Sequence, residues 1–313
     1  MWPTGSLTSE TILIRGLTPI CGVAEVFELL SYDFMVRALI GALLVGVTAP
    51  AVGVYLVQRR MSLMGDGMGH IALTGVALGF LLGTAPVLTA IVVTALGAIA
   101  LELIRSLGRT SGDVALAIMF YGGIAGGVLL IGLAHGSNAS LSSYLFGSLL
   151  TTSPEDLMLI GALAVAVLLV TLALRPWLFA LCHDEEFAAV SGVPVRVLNL
   201  VLAVTAAVTV TVAMRAVGLL LVSALMIIPV ATVQQVAGGF LKTLLAAIGL
   251  GAVVALSGSV GSFYLDTAPG AAIVVLAILV FLVVSAVSGL YRQLLQWNQR
   301  RRGHGRLPSD SPA

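Results

Sequence analysis

Charged residues are scarce in this sequence. Asp, Glu, Lys and Arg together make up 9% of its 313 residues, whereas 59% are hydrophobic and the mean hydropathy is +1.12. Soluble globular domains carry about 25% charged residues, so this composition excludes a soluble protein. The net charge of +1 also lacks the basic excess that binds nucleic acid. We therefore predict a polytopic membrane protein, all-α because its apolar runs have the length of membrane-spanning helices.

Cysteine and lysine are nearly absent, and each shortage excludes a class of site. Cys21 and Cys182 are too far apart in sequence to form a metal-binding motif. The one lysine, Lys242, follows Leu241, whereas a phosphate-binding P-loop needs glycine directly before its lysine. The His-Glu-x-x-His sequence of zinc hydrolases does not occur either. We predict that the chain is not an enzyme and that any ATP used for transport is hydrolysed by another subunit.

Nine apolar segments, each near the ~20 residues that cross a bilayer core, organise the chain. Eight spans result if the second or fifth segment is irregular. We expect one transmembrane unit over 31–291, preceded by a tail over 1–30 with a possible interfacial helix and followed by a basic cytoplasmic tail over 292–313. The segments cover 34–57, 63–83, 86–104, 114–134, 155–174, 196–214, 216–236, 240–263 and 268–289.

The distribution of basic residues between the spans predicts their orientation. Nine alternating spans with a cytoplasmic C-terminus leave Arg37 and Arg215 outside and twelve basic residues inside. Positively charged residues are enriched in cytoplasmic loops, so this asymmetry favours that orientation. The inner residues are Arg59, Arg60, Arg105, Arg109, Arg175, Arg196, Lys242, Arg292, Arg300, Arg301, Arg302 and Arg306.

Asp66 and His70 are the candidate metal ligands. They stand four residues apart, so a helix places both on one face, and ionisable groups inside a membrane usually mark an ion pathway. His70 follows Arg60 by ten residues, a rise of about 15 Å that would bring it towards the midplane. A second interpretation is open, in which Asp66 caps the second helix and His70 is hydrogen-bonded in a polar pocket. Because two ligands are few, a homodimer meeting at this helix would supply four.

The glycines beside Asp66 and His70, and a proline much later in the sequence, predict either close packing or broken helices. Gly65 and Gly69 belong to a small-xxx-small pattern that brings membrane helices together. Alternating glycine over 65–69 also weakens a helix, as in the broken helices of transporters. Pro229 is a further candidate for helix breaking or packing. The methionines at 61, 64 and 68 form one stripe, which we interpret as packing.

The longest inner connection, 175–196, contains a short amphipathic helix. Acidic residues at 184–186 suit the start of a helix, and Gly192 is suited to end it. A helix on the cytoplasmic face between two spans is typical of a docking element. It can alternatively lie in the lipid headgroup region without a partner.

These motifs resemble those of the manganese/zinc/iron ABC-importer permeases, a family of bacterial membrane proteins. The specific motif covers 59–80 and reads RRMSLMGDGMGHIALTGVALGF. The similarity extends over about 34–290. Further matching residues lie at 144–148, 184–192 with Pro194, 217–222, 228–232 and 268–271.

The resemblance implies an assembly. It predicts a homodimer of permeases in the bacterial plasma membrane, two cytoplasmic ABC ATPase subunits and an extracytoplasmic metal-binding lipoprotein. The family's metal ligands map onto Asp66 and His70, and no cofactor is permanently bound. The residues predicted to couple to the ATPase are Asp184, Glu185, Glu186, Ala188, Ala189 and Gly192.

We therefore predict the permease subunit of an ATP-driven importer of Mn²⁺, Zn²⁺ or Fe²⁺. The sequence does not choose among these ions, because carboxylate and imidazole accommodate all three. The alternative is a secondary metal transporter that works alone. A membrane subunit that transports nothing is a further alternative, in which Asp66 is a cap and His70 a packing residue.

Overall fold

The computed structural model describes residues 32–107, 112–134 and 154–303. Within these ranges the chain forms eleven helices and no strand. The predicted tail over 1–30 and the motif at 144–148 lie outside the described residues. In chain order the helices are α1 Asp33–Gln58, α2 Met64–Leu82, α3 Pro86–Ser106, α4 Gly112–Leu133, α5 Pro154–Ala173, α6 Arg175–His183, α7 Glu185–Val190, α8 Val195–Val217, α9 Leu219–Gln234, α10 Phe240–Tyr264 and α11 Pro269–Gly303.

Seven of the described helices are long and apolar enough to cross a membrane. Helices α5 and α6 together form an eighth candidate span, bent by 63° between them. The predicted segment 216–236 corresponds to α9, whose 16 residues rise about 24 Å and fall short of a core of about 30 Å. The all-α membrane fold is confirmed. The described helices give seven candidate spans, or eight with the bent pair, and the shorter α9 takes the place of the seventh predicted segment.

Helix α1 lies in the centre of the bundle, packed against α5, α8, α9 and α10. Its glycines let neighbouring backbones approach closely. A Cβ atom on Gly53 would lie 1.8 Å from the backbone O of Met226 in α9, and one on Gly251 of α10 would lie 2.4 Å from the O of Gly46. Because lipid is as apolar as leucine, such close backbone contacts are a main source of attraction between membrane helices.

Helix α2 is continuous over Met64–Leu82, so the prediction that its glycines break it is wrong. The glycines instead admit neighbouring helices, as their small-residue spacing predicts. A Cβ atom on Gly69 would lie 1.9 Å from Cδ1 of Leu219, and one on Gly123 of α4 would lie 2.7 Å from the backbone C of His70. These tertiary contacts outweigh the intrinsic cost of about 1 kcal/mol for each helical glycine.

A break in the second half of the bundle falls at Gly218, between α8 and α9. Gly218 has a φ of +88°, a conformation that glycine adopts without a steric penalty. Helix α9 continues through Pro229, which is buried, so of the two predicted roles the structure favours packing over a helix break. The α8–α9 turn brings the start of α9 against α2, where Leu219 meets Gly69.

The basic residues gather at one end of the bundle. Two cavities there are lined by Arg59, Arg60, Arg105 and Arg196, and we call this the basic end. Their clustering agrees with the predicted location of these four arginines on one side of the membrane. Helix α11 runs without interruption to Gly303, so the predicted basic tail over 292–313 begins as a helical extension of the last span.

Candidate metal pathway

The turn between α1 and α2 determines where the candidate site lies. Arg60 adopts a left-handed φ of +58°, and the Met61 N–H donates to the O of Leu56 at 2.8 Å, which ends α1 as a Schellman motif does. Helix α2 begins only at Met64, so His70 lies about 9 Å along the helix from its start. The predicted rise of 15 Å was too large because residues 61–63 form a turn.

Asp66 and His70 lie on one face of α2, as predicted. Asp66 Oδ1 is 4.0 Å from His70 Nε2, and the two side chains are 30% and 14% exposed. The imidazole packs edge-on against Phe120 of α4, with the ring centroids 4.6 Å apart. Two donors bound tetrahedrally to one metal ion are about 3.4 Å apart, so a side-chain adjustment of about half an ångström would let the pair bind one ion.

The structure does not favour the alternative in which Asp66 is a cap and His70 is hydrogen-bonded. Helix α2 begins after Leu63 without a side-chain cap. Within the described part of the chain, the buried Nδ1 of His70 has no hydrogen-bond partner. A buried nitrogen without a partner is costly, and such atoms in native proteins usually have a functional reason.

Two further residues accompany the pair, and the sequence interpretation placed neither of them there. Ser223 of α9 directs its Oγ towards Asp66 Oδ1 at 3.5 Å. Asp113 of α4 lines a cavity of about 280 Å³ together with Asp66 and Phe120. No short sequence motif joins these residues, because they come from three different helices.

The methionine stripe packs, as predicted. Met64 and Met68 are fully buried in the main hydrophobic core, and Met61 packs against that core. Gly65 lies against α9, where an added Cβ atom would be 3.2 Å from Sδ of Met226. The thioethers of these residues thus fill space between helices.

Other ionisable residues lie apart from the pair. Glu102 and Arg105 form an ion pair of 2.9 Å within α3. The His183 ring stacks on Phe179, and His135 and His304 lie outside the described residues. Among the residues described, no group of three or more His, Cys, Asp or Glu side chains converges as a metal site would require.

Helix α7 is a short helix with both ends closed. Asp184 accepts a hydrogen bond of 2.9 Å from the Phe187 N–H and so caps its start. Gly192 has a φ of +83°, and the Val193 N–H donates to the O of Ala188, which closes the end as a Schellman motif. The predicted short helix is therefore present, and Asp184 and Gly192 define its limits.

The faces of α7 differ in exposure. Ala188 is buried, whereas Phe187 is 69% and Val190 is 88% exposed. Ala189 and Glu186 are also exposed, and they line a cavity of about 780 Å³ between α7 and the end of α3. Exposed apolar residues on a helix at the basic end are typical of a docking surface.

The Glu185 side chain is 48% exposed, and its carboxylate is hydrogen-bonded to the bundle. Its Oε2 accepts a hydrogen bond of 2.6 Å from Nη2 of Arg59, and its Oε1 accepts one of 2.9 Å from Nδ2 of Asn199. Arg59 also donates through Nη1 to Oδ1 of Asn199. The three side chains therefore join α7 and α8 to the residue that follows α1.

Comparisons with known proteins agree with the motifs. The model of a family described as the ABC 3 transport family matches residues 31–288. The chain is 36% identical over 267 residues to a probable metal transport system membrane protein of Treponema pallidum, covering 84% of this chain and 99% of that protein. It is 35% identical over 253 residues to the manganese import system permease protein ScaB of Streptococcus parasanguinis, covering 80% and 90%.

The fold is similar to a solved structure, PsaBC from Streptococcus pneumoniae in complex with Fab. The TM-score is 0.76 at 33% identity, over 84% of this chain and 95% of that one. Other relatives, 30 to 33% identical, are named as membrane proteins of manganese, zinc and chelated-iron transport systems. The resemblance inferred from the 59–80 motif is confirmed, and the chain belongs to the ABC 3 transport family.

Proposed function

We propose that Asp66 and His70 hold a divalent metal ion in transit through this permease subunit of an ABC metal importer. The observation that carries the proposal is the carboxylate oxygen and imidazole nitrogen 4.0 Å apart on one helix face. Asp66 also opens into the cavity shared with Asp113. Two donors bind an ion weakly, which suits a transport site because the ion must also leave.

A homodimer would complete the coordination. One protomer offers one carboxylate and one imidazole at this site, and divalent ions of this class take four or more ligands. A second copy whose α2 meets the same pathway would double the set. We infer that the ion is coordinated by the Asp66–His70 pairs of two protomers.

The basic end faces the cytoplasm in this proposal, and the C-terminus lies on the same side. Four arginines line its cavities, in agreement with the enrichment of positive charge in cytoplasmic loops. Helix α7 then presents Phe187 and Val190 to a cytoplasmic ABC ATPase, one for each protomer. An extracytoplasmic metal-binding lipoprotein delivers the ion at the other end.

The transported ion is Mn²⁺, Zn²⁺ or Fe²⁺. Carboxylate and imidazole ligands accommodate each of these ions, and relatives of this chain are named for all three metals. Since this donor set accommodates all three ions, selection among them is left to the delivering protein and to the shape of the pathway.

Uptake of radioactive Mn²⁺ and Zn²⁺ by cells that express the chain with its ATPase and binding protein tests the proposal. We expect His70→Ala and Asp66→Asn to lower ATP-dependent uptake by at least about 100-fold, more than the loss of an outer hydrogen-bond partner of a ligand. His183→Ala is the matched control, because His183 stacks on Phe179 away from the pair.

The uptake rates are compared between cells whose membranes contain equal amounts of the variant and wild-type permease. Uptake lost in both site variants and kept in His183→Ala supports the proposal. Wild-type rates in the Asp66 and His70 variants would assign these residues a structural role. Uptake in liposomes without ATP or partner subunits would instead indicate a secondary transporter.

A further inference from the structure

We propose that the hydrogen-bonded triad of Arg59, Glu185 and Asn199 transmits movement of α7 to the helix that carries Asp66. Arg59 and Glu185 are positioning residues in this proposal, and neither contacts the ion. The inference rests on the proposed function, since it assumes that an ATPase acts on α7. It assigns Glu185 an inward role, whereas the sequence suggested contact with the ATPase.

The triad joins residues that are far apart in sequence. Arg59 and Glu185 are 126 residues apart in sequence and bonded at 2.6 Å, and Arg59 also bonds Asn199, 140 residues away. The Arg59 side chain is 6% exposed. A buried guanidinium bonded to both partners makes directional hydrogen bonds that fix the relative positions of three elements.

Only a short stretch of chain separates Arg59 from Asp66 and His70. Arg59 directly follows α1, and the α1–α2 turn is tied by hydrogen bonds from Met61 to Leu56 and from Met64 to Met61. Helix α2 starts at Met64, and Asp66 is its third residue. A displacement of Arg59 therefore moves this turn. Because the turn is held by backbone hydrogen bonds, the start of α2 with Asp66 moves with it.

Helix α7 is attached to the bundle through its first residue. Among the described residues, α7 is closed at both ends by its own caps and buries Ala188, so it can move as one unit. Glu185, its first residue, carries the charged bonds to Arg59 and Asn199. The caps keep the helix intact, and the triad couples it to the bundle.

The experiment measures the ratio of ions imported to ATP hydrolysed. The complex of permease, ATPase and binding protein is reconstituted in proteoliposomes, and radioactive Mn²⁺ and Zn²⁺ are the probes. We expect Glu185→Gln to keep ATP hydrolysis near the wild-type rate and to lower the ratio about tenfold, within the range of measured coupling between sites. A merely structural role would lower uptake and ATP hydrolysis together and leave the ratio unchanged.

The matched control is Glu102→Gln. It removes the acid of another ion pair that lines the same cavity, but in the described part of the chain the Glu102–Arg105 pair lies within one helix. We expect this variant to keep the wild-type ratio. A fall in the ratio equal to that of Glu185→Gln would overturn the proposal, because it would show a general effect of charge at this end.

Asn199→Ala provides a second variant that keeps both charges. If Glu185→Gln yields too little complex, a lowered ratio in Asn199→Ala supports the linkage, and an unchanged ratio overturns it. An unchanged ratio in an assembled Glu185→Gln complex also overturns it while leaving the proposed function intact. A wild-type complex that imports neither ion with ATP overturns the proposed function and, with it, the linkage.

Discussion

The proposed metal ligands Asp66 and His70 are surrounded by side chains from neighbouring helices. Asp66 and His70 share a helix turn, yet Ser223 reaches Asp66 from α9 and Phe120 supports the imidazole from α4. A hydroxyl that donates to a ligating carboxylate orients it for the metal. If Asp66 binds the ion as proposed, Ser223 orients its carboxylate, although the sequence around Ser223 is entirely apolar.

Replacing Ser223 by alanine tests this role at the residue scale. We expect Ser223→Ala to lower Mn²⁺ uptake about tenfold, because outer partners of metal ligands typically contribute 10- to 100-fold to metal affinity or activity. Ser257→Ala is the control, since Ser257 donates to Val253 of its own helix at 2.6 Å. Equal uptake by the two variants would remove Ser223 from the site.

At the scale of the elements, glycine spacing determines how closely helices pack around α1 and α2. The glycines at 53, 69 and 123 each lie where an added Cβ atom would overlap a neighbouring helix. Such contacts require small residues, since van der Waals packing replaces the hydrophobic driving force inside a bilayer. Helix α2 consequently remains intact in spite of three glycines in its first two turns.

The contact between α1 and α9 predicts a large effect for Gly53→Ala. The new Cβ atom would lie 1.8 Å from the backbone O of Met226, so the two helices must separate. We expect a loss of about 1–3 kcal/mol of stability, the usual range for overpacking, seen as a lower Tm in detergent.

Gly249→Ala is the matched control for this prediction. Gly249 lies in α10 with no atom within 4 Å of an added Cβ atom, so alanine is expected to be neutral or slightly stabilising there. Similar Tm values for the two variants would contradict the close packing of α1 on α9.

At the scale of the whole molecule, the basic end and α7 create one polar face on an otherwise apolar bundle. Phe187 and Val190 project from this face. An ATPase docked on α7, as proposed, would remove this apolar surface from water. The same face carries the triad of Arg59, Glu185 and Asn199, so the proposed docking surface and the proposed linkage lie next to each other.

Phe187→Ser is therefore expected to weaken association with the ATPase. Aromatic residues at the centre of an interface often contribute 2 kcal/mol or more, so the dissociation constant should rise at least about tenfold. Pull-down of the ATPase from detergent measures this change. Phe263→Ser, at the end of α10 and 43% exposed, is the control, and an equal loss in both variants would argue against docking through α7.

Local sequence patterns were sufficient to predict the helices and the placement of Asp66 and His70 on one helix face. Apolar runs near 20 residues determine membrane helices because backbone hydrogen bonds must be satisfied inside lipid, and the four-residue spacing alone places Asp66 and His70 on one face. The acids at 184–186 and Gly192 predicted α7 because helix caps depend on adjacent residues.

Only the tertiary structure decided which distant residues meet. Ser223 and Asp113 join the metal pair through helix packing, and Glu185 turns to Arg59 instead of outwards. Packing also decided that α2 stays intact and that the chain breaks at Gly218 and not at Pro229. The physical reason is that contacts between helices combine residues far apart in sequence, and their free energy outweighs local helix propensities.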